Sequence, residues 1–347
     1  MRIMSQTFAE ALVLRDQWGR VARDLRISLT DRCNLRCSYC MPPEGLAWLP
    51  SEDTLTDAEV MRLMRVGVEL LGIEEIRFTG GEPLLRRSLA EIVRFGAGLV
   101  TASGRKPEMS LTTNALGLDK RATALAEAGL DRVNVSMDSV DPDIYHHIAH
   151  RDRLESVFAG IRAAFAAGLT PVKVNAVAMR GVNDAGLRDL LRYCLRAGAQ
   201  LRIIEHMPLG PRETWSRENM VPQDEILDYL GAEFELTPLV GDPSAPAKLW
   251  SVAPGIDHPG GSVGIIASVT KPFCADCDRT RLTADGQIRN CLFARTETDL
   301  RGPMRSGVDD DELARLWADA MWEKKPGHGI DDPEFVQPAR YMSEIGG

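Results

Sequence analysis

Three cysteines fall within the stretch TDRCNLRCSYCMPPEG, at Cys33, Cys37 and Cys40, and no fourth follows. Two further cysteines at named offsets from a first would arise by chance about (7/347)², or roughly one time in 2,500. Coincidence is therefore a poor explanation. Structural zinc takes four tetrahedral Cys or His ligands, yet the first histidine of the chain is His146. A 4Fe-4S cubane needs four iron ligands, so three protein thiolates leave one iron open to a small molecule. The open position reads as the working one. A second set, in KPFCADCDRTRLTADGQIRNCLF, supplies Cys274, Cys277 and Cys291 as C-x2-C-x13-C and again stops at three. Zinc stays open here, because His258 lies upstream and Cys-x2-Cys is common in zinc ribbons; the alternative is a second cluster with its own open iron. Arg279 and Arg281 directly behind Cys277 are either a solvated flank or permanently charged forks for a phosphorylated ligand.

Seven cysteines is an odd count for a disulfide framework, and six of them sit in these two clusters, which in a reducing compartment points to metal ligation. Cys194 stands alone and reads as a buried helix residue. The 347 residues suffice for one large α/β domain or two smaller ones. Fifty acidic residues against 41 basic give a net charge of -9 with no basic run of five, which argues against nucleic-acid backbone binding. A small anion held by local cations remains compatible. Glu10, Arg15 and Asp16 break any apolar run at the N-terminus, so neither a secretory signal nor a membrane span is expected and the cytoplasm is the expected location.

The elements that must carry these residues alternate between strand and helix. Strand patterns occur at 25–30, 74–80, 109–114, 132–138, 172–179 and 201–207. Helices are predicted at 56–71, where Thr56 and Glu59 form a capping-box pair, and at 154–168, ending in a glycine. Six such units predict parallel βα architecture, either a doubly wound sheet or an incomplete barrel. Chemistry-bearing residues at the strand ends favour the barrel: the Cys motif after the first strand, Gly80-Gly81-Glu82-Pro83 after the second, Asn114, Ser136, Asp138 and Met207 later. Arg26, Ser28 and Thr30, Arg77 and Thr79, and Lys173 and Asn175 put polar groups on one alternate face, as expected of a partly open barrel holding a ligand. Three cations on an inner face would be costly without partner charge; barrel carboxylates or a bound triphosphate would both serve. Arg202 is a weaker candidate of the same kind. The expected organisation is an N-terminal arm at 1–23, the barrel at 24–220 and a smaller C-terminal region at 221–347 with a strand at 262–269, the second Cys set and a helix near 309–323.

Cys-x3-Cys-x2-Cys with Tyr39 before its third cysteine, followed by the GGEP element, resembles the signature of the radical S-adenosylmethionine (SAM) enzymes. With KVNAVAMRGVN, the second three-Cys set and the terminal Gly346-Gly347, nearly the whole chain resembles the GTP 3′,8-cyclase family of molybdenum cofactor biosynthesis. The resemblance implies an α/β incomplete (βα)6 TIM-like barrel and two 4Fe-4S clusters, one on Cys33, Cys37 and Cys40 and one on Cys274, Cys277 and Cys291. It implies that SAM chelates the first open iron within a pocket including Tyr39, Gly81, Ser136 and Met207. One-electron cleavage of SAM would then yield a radical that takes the 3′ hydrogen of GTP, whose ribose carbon attacks C8 of guanine. Arg26, Arg77, Thr112, Lys173, Arg279 and Arg281 are the implied GTP contacts, with guanine held by the second cluster and the Gly346-Gly347 tail entering the site. Partners implied are a one-electron reductant, a downstream cyclic pyranopterin monophosphate synthase and a homodimeric second copy. The chain departs from the usual pattern at Ala115, where the family commonly has Gly, and at Asp278, where it has Asn. The rival enzyme reading is a radical SAM protein modifying a peptide, although those usually carry more C-terminal cysteines. Outside catalysis, an electron carrier would have no use for an open iron or a GGEP loop.

Overall fold

A computed structural model describes residues 12–346, so part of the expected N-terminal arm, and Gly347, lie outside the described residues. Twelve strands form one sheet. They are β1 (Asp24–Ser28), β2 (Glu75–Thr79), β3 (Glu108–Thr113), β4 (Arg132–Ser136), β5 (Lys173–Ala178), β6 (Gln200–Glu205), β7 (Leu236–Leu239), β8 (Lys248–Val252), β9 (Gly261–Ile266), β10 (Arg279–Leu282), β11 (Gln287–Arg289) and β12 (Thr298–Asp299). The order is β12-β11-β10-β1-β2-β3-β4-β5-β6-β9-β8-β7. Strands β1 to β6 run parallel, as six apolar runs separated by helical patterns require.

The C-terminal third completes the same sheet. Strand β10 pairs parallel with β1 at one edge and β9 pairs parallel with β6 at the other. Antiparallel partners then cap both sides: β11 and β12 outside β10, β8 and β7 outside β9. The second cysteine set, with Cys274 and Cys277 just before β10 and Cys291 just after β11, is thereby brought beside the first strand of the barrel. Nothing in the periodicity of residues 221–347 announced this.

Local signals set the helices. The first, Asp57–Arg65, starts at the capping box: Thr56 Oγ accepts from Glu59 N at 3.3 Å and Glu59 Oε2 accepts from Thr56 N at 2.8 Å. It continues as a π-turn over Val66–Leu70, which is why the apolar spacing extends to Leu71. The helix Leu154–Ala166 is followed by Gly168 at φ +76°, and the helix Asp310–Trp322 begins on Asp309, whose side chain accepts from Glu312 N. Cys194 is fully buried on the helix Leu187–Ala197, as expected.

Ala115 adopts φ +63°, the left-handed region, and is fully buried. Left-handed backbone costs a residue with a Cβ about 1–2 kcal/mol. Against this, Ala115→Gly would lose about 0.8 kcal/mol of methyl burial and about 0.4–1 kcal/mol through a more flexible unfolded chain. The expected change in stability is under about 1 kcal/mol, read as the shift in the urea midpoint. A larger loss would mean that the Ala115 methyl, against which Gly160 is pressed, is a packing requirement.

Candidate active site

One cavity at the C-terminal ends of the barrel strands is lined by all six clustered cysteines. The first three lie on the long connection after β1. Cys40 N donates to Cys37 O at 2.8 Å, and Arg36 Nη1 donates to the carbonyls of Cys33 and Leu35, both at 2.8 Å. Tyr39 Oη donates to Asp138 Oδ2 at 3.0 Å, while Val177 N donates to Asp138 Oδ1 at 2.8 Å, so the loop is fastened to the ends of β4 and β5. Burial raises the Asp138 carboxyl to about 6 despite these two donors.

The glycine pair after β2 is sterically required. Any Cβ on Gly80 or Gly81 would overlap the carbonyls of Thr30 or Arg32, and Gly80 has φ +138°. Gly81 N donates to Thr30 O at 2.8 Å, clamping this turn to the cysteine loop. The next residue, Glu82, is wholly buried and accepts from Leu84 N (2.9 Å), Thr113 Oγ1 (2.7 Å) and Asn114 N (2.8 Å). Burial lifts its carboxyl to about 7 against those donors. Asn114 in turn donates to Asn34 at 2.7 Å beside Cys33.

Register supplies the cations. Arg281, Arg26 and Arg77 are direct partners across β10, β1 and β2 and so form one row on the inner face. Their nearest carboxylate is Asp24, 3.7 Å from Arg26 and 3.5 Å from Arg77. Burial works to raise Asp24, but Arg77 and Arg26 outweigh it and hold the carboxyl below its usual range. Burial lowers Arg281 to about 10 and Arg202 to about 9; Arg202 is met only by the amide oxygens of Asn175 and Asn134, both at 2.9 Å. The Nε atoms of Arg26 and Arg77 and one Nη of Arg279 are buried without a protein acceptor. One shared carboxylate does not balance this row, and the orphaned donors fit an anionic ligand better than closed ion pairs.

The second cysteine set faces the same cavity in a different electrostatic setting. Arg20 Nη1 donates to Cys274 O at 2.6 Å, and Cys277 Sγ accepts from Arg279 Nε at 3.4 Å and Lys324 Nζ at 3.3 Å. Burial works to raise the Cys277 thiol, but Arg279 and Lys324 outweigh it and bring it down to about 6. In the first set burial prevails, taking Cys33 up to about 11 and Cys40 up to about 12. Among the described residues no three His, Cys, Asp or Glu side chains close around one ion-sized point. His258 stacks on Phe234 and lies outside the cavity lining. Two histidines line the cavity: His206, whose ring meets Tyr39 of the first set edge-on at 6.3 Å, and His328, whose ring nitrogens are both engaged, by Ser268 O at 2.9 Å and Ile330 N at 3.1 Å. Neither His258 nor His328 is free to be a fourth zinc ligand to Cys274, Cys277 and Cys291. Three thiols per set around a roomy cavity fit 4Fe-4S centres with an open iron.

Of the residues expected from sequence, Tyr39, Gly81, Ser136, Met207, Arg26, Arg77, Thr112, Arg279 and Arg281 all line this cavity with the six cysteines. Lys173 does not; it lies on a second cavity at the opposite barrel end, which shares Arg77, Arg202 and Arg279 with the first. Burial lowers its amine to about 8. Gly346 reaches the barrel floor, where its carbonyl accepts from Arg281 Nη1 and a Cβ would overlap Ser28 and Thr79; Gly347 lies outside the described residues. Sequence reasoning missed Asp24, Arg20, Lys324, His328 and His206. The last is 3% exposed, lines the cavity with both ring nitrogens unpartnered, and is lowered by burial to about 4. Its place directly before Met207 was the available signal.

Residues 27–194 match the model of the Radical SAM superfamily and residues 199–330 that of Molybdenum Cofactor Synthesis C. A protein of Corynebacterium glutamicum named GTP 3′,8-cyclase is 61% identical, over 96% of this chain and 89% of its own length. One of Mycolicibacterium smegmatis with the same name is 57% identical over 96% and 92%, and one of Streptomyces coelicolor 56% identical over 97% of both. Among solved structures, SuiB of Streptococcus suis bound to S-adenosylmethionine superposes with a TM-score of 0.60, covering 90% of this chain and 69% of that one. At 13% identity that likeness concerns the fold alone.

Proposed function

Because the chain belongs to the GTP 3′,8-cyclase family of radical SAM enzymes, we propose that it converts GTP to 3′,8-cyclo-7,8-dihydro-GTP in molybdenum cofactor biosynthesis. The observation that carries this reading is the single cavity on which two three-cysteine sets and the Arg281–Arg26–Arg77 row converge. Cys33, Cys37 and Cys40 hold one 4Fe-4S cluster, with Tyr39, Gly81, Ser136 and Met207 around SAM; Cys274, Cys277 and Cys291 hold the second. When bound, SAM and its cluster supply one-electron, hydrogen-abstracting chemistry that no side chain can perform.

The chain's own residues bind, orient and shield. The orphaned N–H groups of Arg26, Arg77 and Arg279, with Arg281, provide charge-assisted donors for a triphosphate. Arg202 lines the same cavity, while Lys173 stands behind it at the other barrel end among Glu75, Glu108 and Asp131, so a nucleotide can lie with its phosphates against the Arg281–Arg26–Arg77 row and its base toward Cys274, Cys277 and Cys291. Thr112 offers a hydroxyl on the cavity wall. Leu209, Phe293 and Ile345 pack together beside Met207 and Cys291, an apolar margin that limits water entry.

The reading calls for a one-electron reductant and for a downstream synthase that rearranges the product to cyclic pyranopterin monophosphate. A homodimer in the cytoplasm completes it. No helix among the described residues is long and apolar enough to cross a membrane, and the net charge of -9 offers no support for nucleic-acid binding.

The test is anaerobic incubation of the reconstituted protein with SAM, a reductant and GTP. GTP-dependent formation of the cyclised nucleotide is expected; SAM cleavage indifferent to GTP with no cyclised product overturns the reading. Arg281→Ala should weaken GTP binding by about 10- to 100-fold, the worth of charge-assisted hydrogen bonds of about 1.5–3 kcal/mol, while leaving SAM affinity within about twofold. Equilibrium dialysis with each ligand separates the two.

A further inference from the structure

Lys324 follows the helix Asp310–Trp322 and is 3% exposed. Its ammonium donates to Cys277 O at 3.1 Å, Arg279 O at 2.9 Å and Cys277 Sγ at 3.3 Å. Among the described residues no carboxylate forms an ion pair with it, although 25 other ion pairs are present. Burying an ammonium without counter-charge is expensive. Among the described residues, the only group at hydrogen-bond distance that can carry negative charge is the Cys277 sulfur.

The lysine is also held from several directions. Trp18 Nε1 donates to Lys324 O at 3.2 Å, Arg20 Nη2 donates to Lys325 O at 2.6 Å, and Asn290 Nδ2, next to Cys291, donates to Ala320 O at 2.8 Å. Arg20 meanwhile grips Cys274 O. With the backbone fixed in this way and the ammonium bonded to two carbonyls, the charge is kept at a set distance from the sulfur. The first cysteine set has no counterpart: Cys33 Sγ has Leu35 N at 3.5 Å and Asn114 Nδ2 at 4.0 Å, both neutral donors.

We propose that Lys324 is an electrostatic positioning residue of the second centre, whose buried ammonium on the Cys277 sulfur raises the reduction potential of the iron–sulfur cluster bound there. The cause is general: reduction adds negative charge, and a fixed cation with an N–H···S bond stabilises the reduced form. The inference rests on Cys274, Cys277 and Cys291 being cluster ligands. Iron and sulfide analysis of the unaltered protein tests that reading separately, since it fails if only one cluster assembles.

The experiment compares Lys324→Gln, Lys324→Met and Lys324→Arg with the unaltered protein, each fully reconstituted, by redox titration followed by electron paramagnetic resonance. Lys324→Gln keeps a donor for the two carbonyls but removes the charge. It should shift the second cluster to a more negative potential by at least a tenfold change in the oxidised-to-reduced ratio, 59 mV for one electron, with the first cluster unmoved. Lys324→Met should shift it in the same direction, and Lys324→Arg should restore the original value. Equal potentials in Lys324→Gln and Lys324→Arg, or equal shifts at both clusters, would overturn the proposal. If the neutral variants fail to hold the cluster, an unshifted potential in Lys324→Arg supports it and a shift of tenfold or more opposes it.

Discussion

Glu205→Ala is expected to leave the chain unfolded or nearly so at room temperature. The carboxylate is fully buried at the end of β6 and accepts from four donors: Gln223 N (2.9 Å), Thr270 Oγ1 (2.5 Å), Val269 N (2.9 Å) and Thr270 N (2.9 Å). A buried donor left without a partner costs about 1–3 kcal/mol, so four together cost about 4 kcal/mol or more. Folded domains are stable by about 5–15 kcal/mol in total. Loss at this one point also frees the barrel end from the helix Gln223–Gly231 and from the loop after β9, and with them His206 and Met207. Urea unfolding measures the effect. Glu205→Gln, which keeps one acceptor oxygen, should lie between the two. A loss below about 1 kcal/mol for alanine would mean that water replaces the carboxylate without penalty.

Cys291→Ala is expected to have the largest effect on activity. Cys291 packs against the cluster formed by Leu209, Phe293 and Ile345, so the alanine leaves the surrounding chain with its apolar contacts largely intact. The second centre would then have two protein ligands. Iron per chain should fall from about eight atoms to about four, the content of one cubane. Formation of cyclised nucleotide should fall by more than about 100-fold, beyond what loss of an outer-shell group typically causes, while SAM affinity holds. Undiminished iron together with undiminished product would show that Cys291 ligates nothing.

These expectations draw on different depths of the sequence. The barrel strands were legible because six apolar runs with helical spacers have few alternative packings, and each lies within two residues of its predicted position. The capping box at Thr56 was legible because its partners are three residues apart. The tail was half legible: Gly346 lies where no Cβ fits, but only the packing of Met342 and Ile345 beside Cys291 explains why the chain end returns to the barrel.

Spacing alone marked Cys33, Cys37 and Cys40, and Cys274, Cys277 and Cys291, as two candidate thiolate sets, and alternation alone put Arg26 and Arg77 on one face. Those are properties of near neighbours along the chain. Only the tertiary structure decided that β10 lies parallel to β1, which sets Arg281 beside Arg26 and gathers both cysteine sets on one cavity. It also decided that Arg20 and Lys324 converge on Cys274 and Cys277. The reason is physical: residue type and period specify which way a side chain faces, whereas the partner it meets depends on strand register and on contacts closed across hundreds of residues.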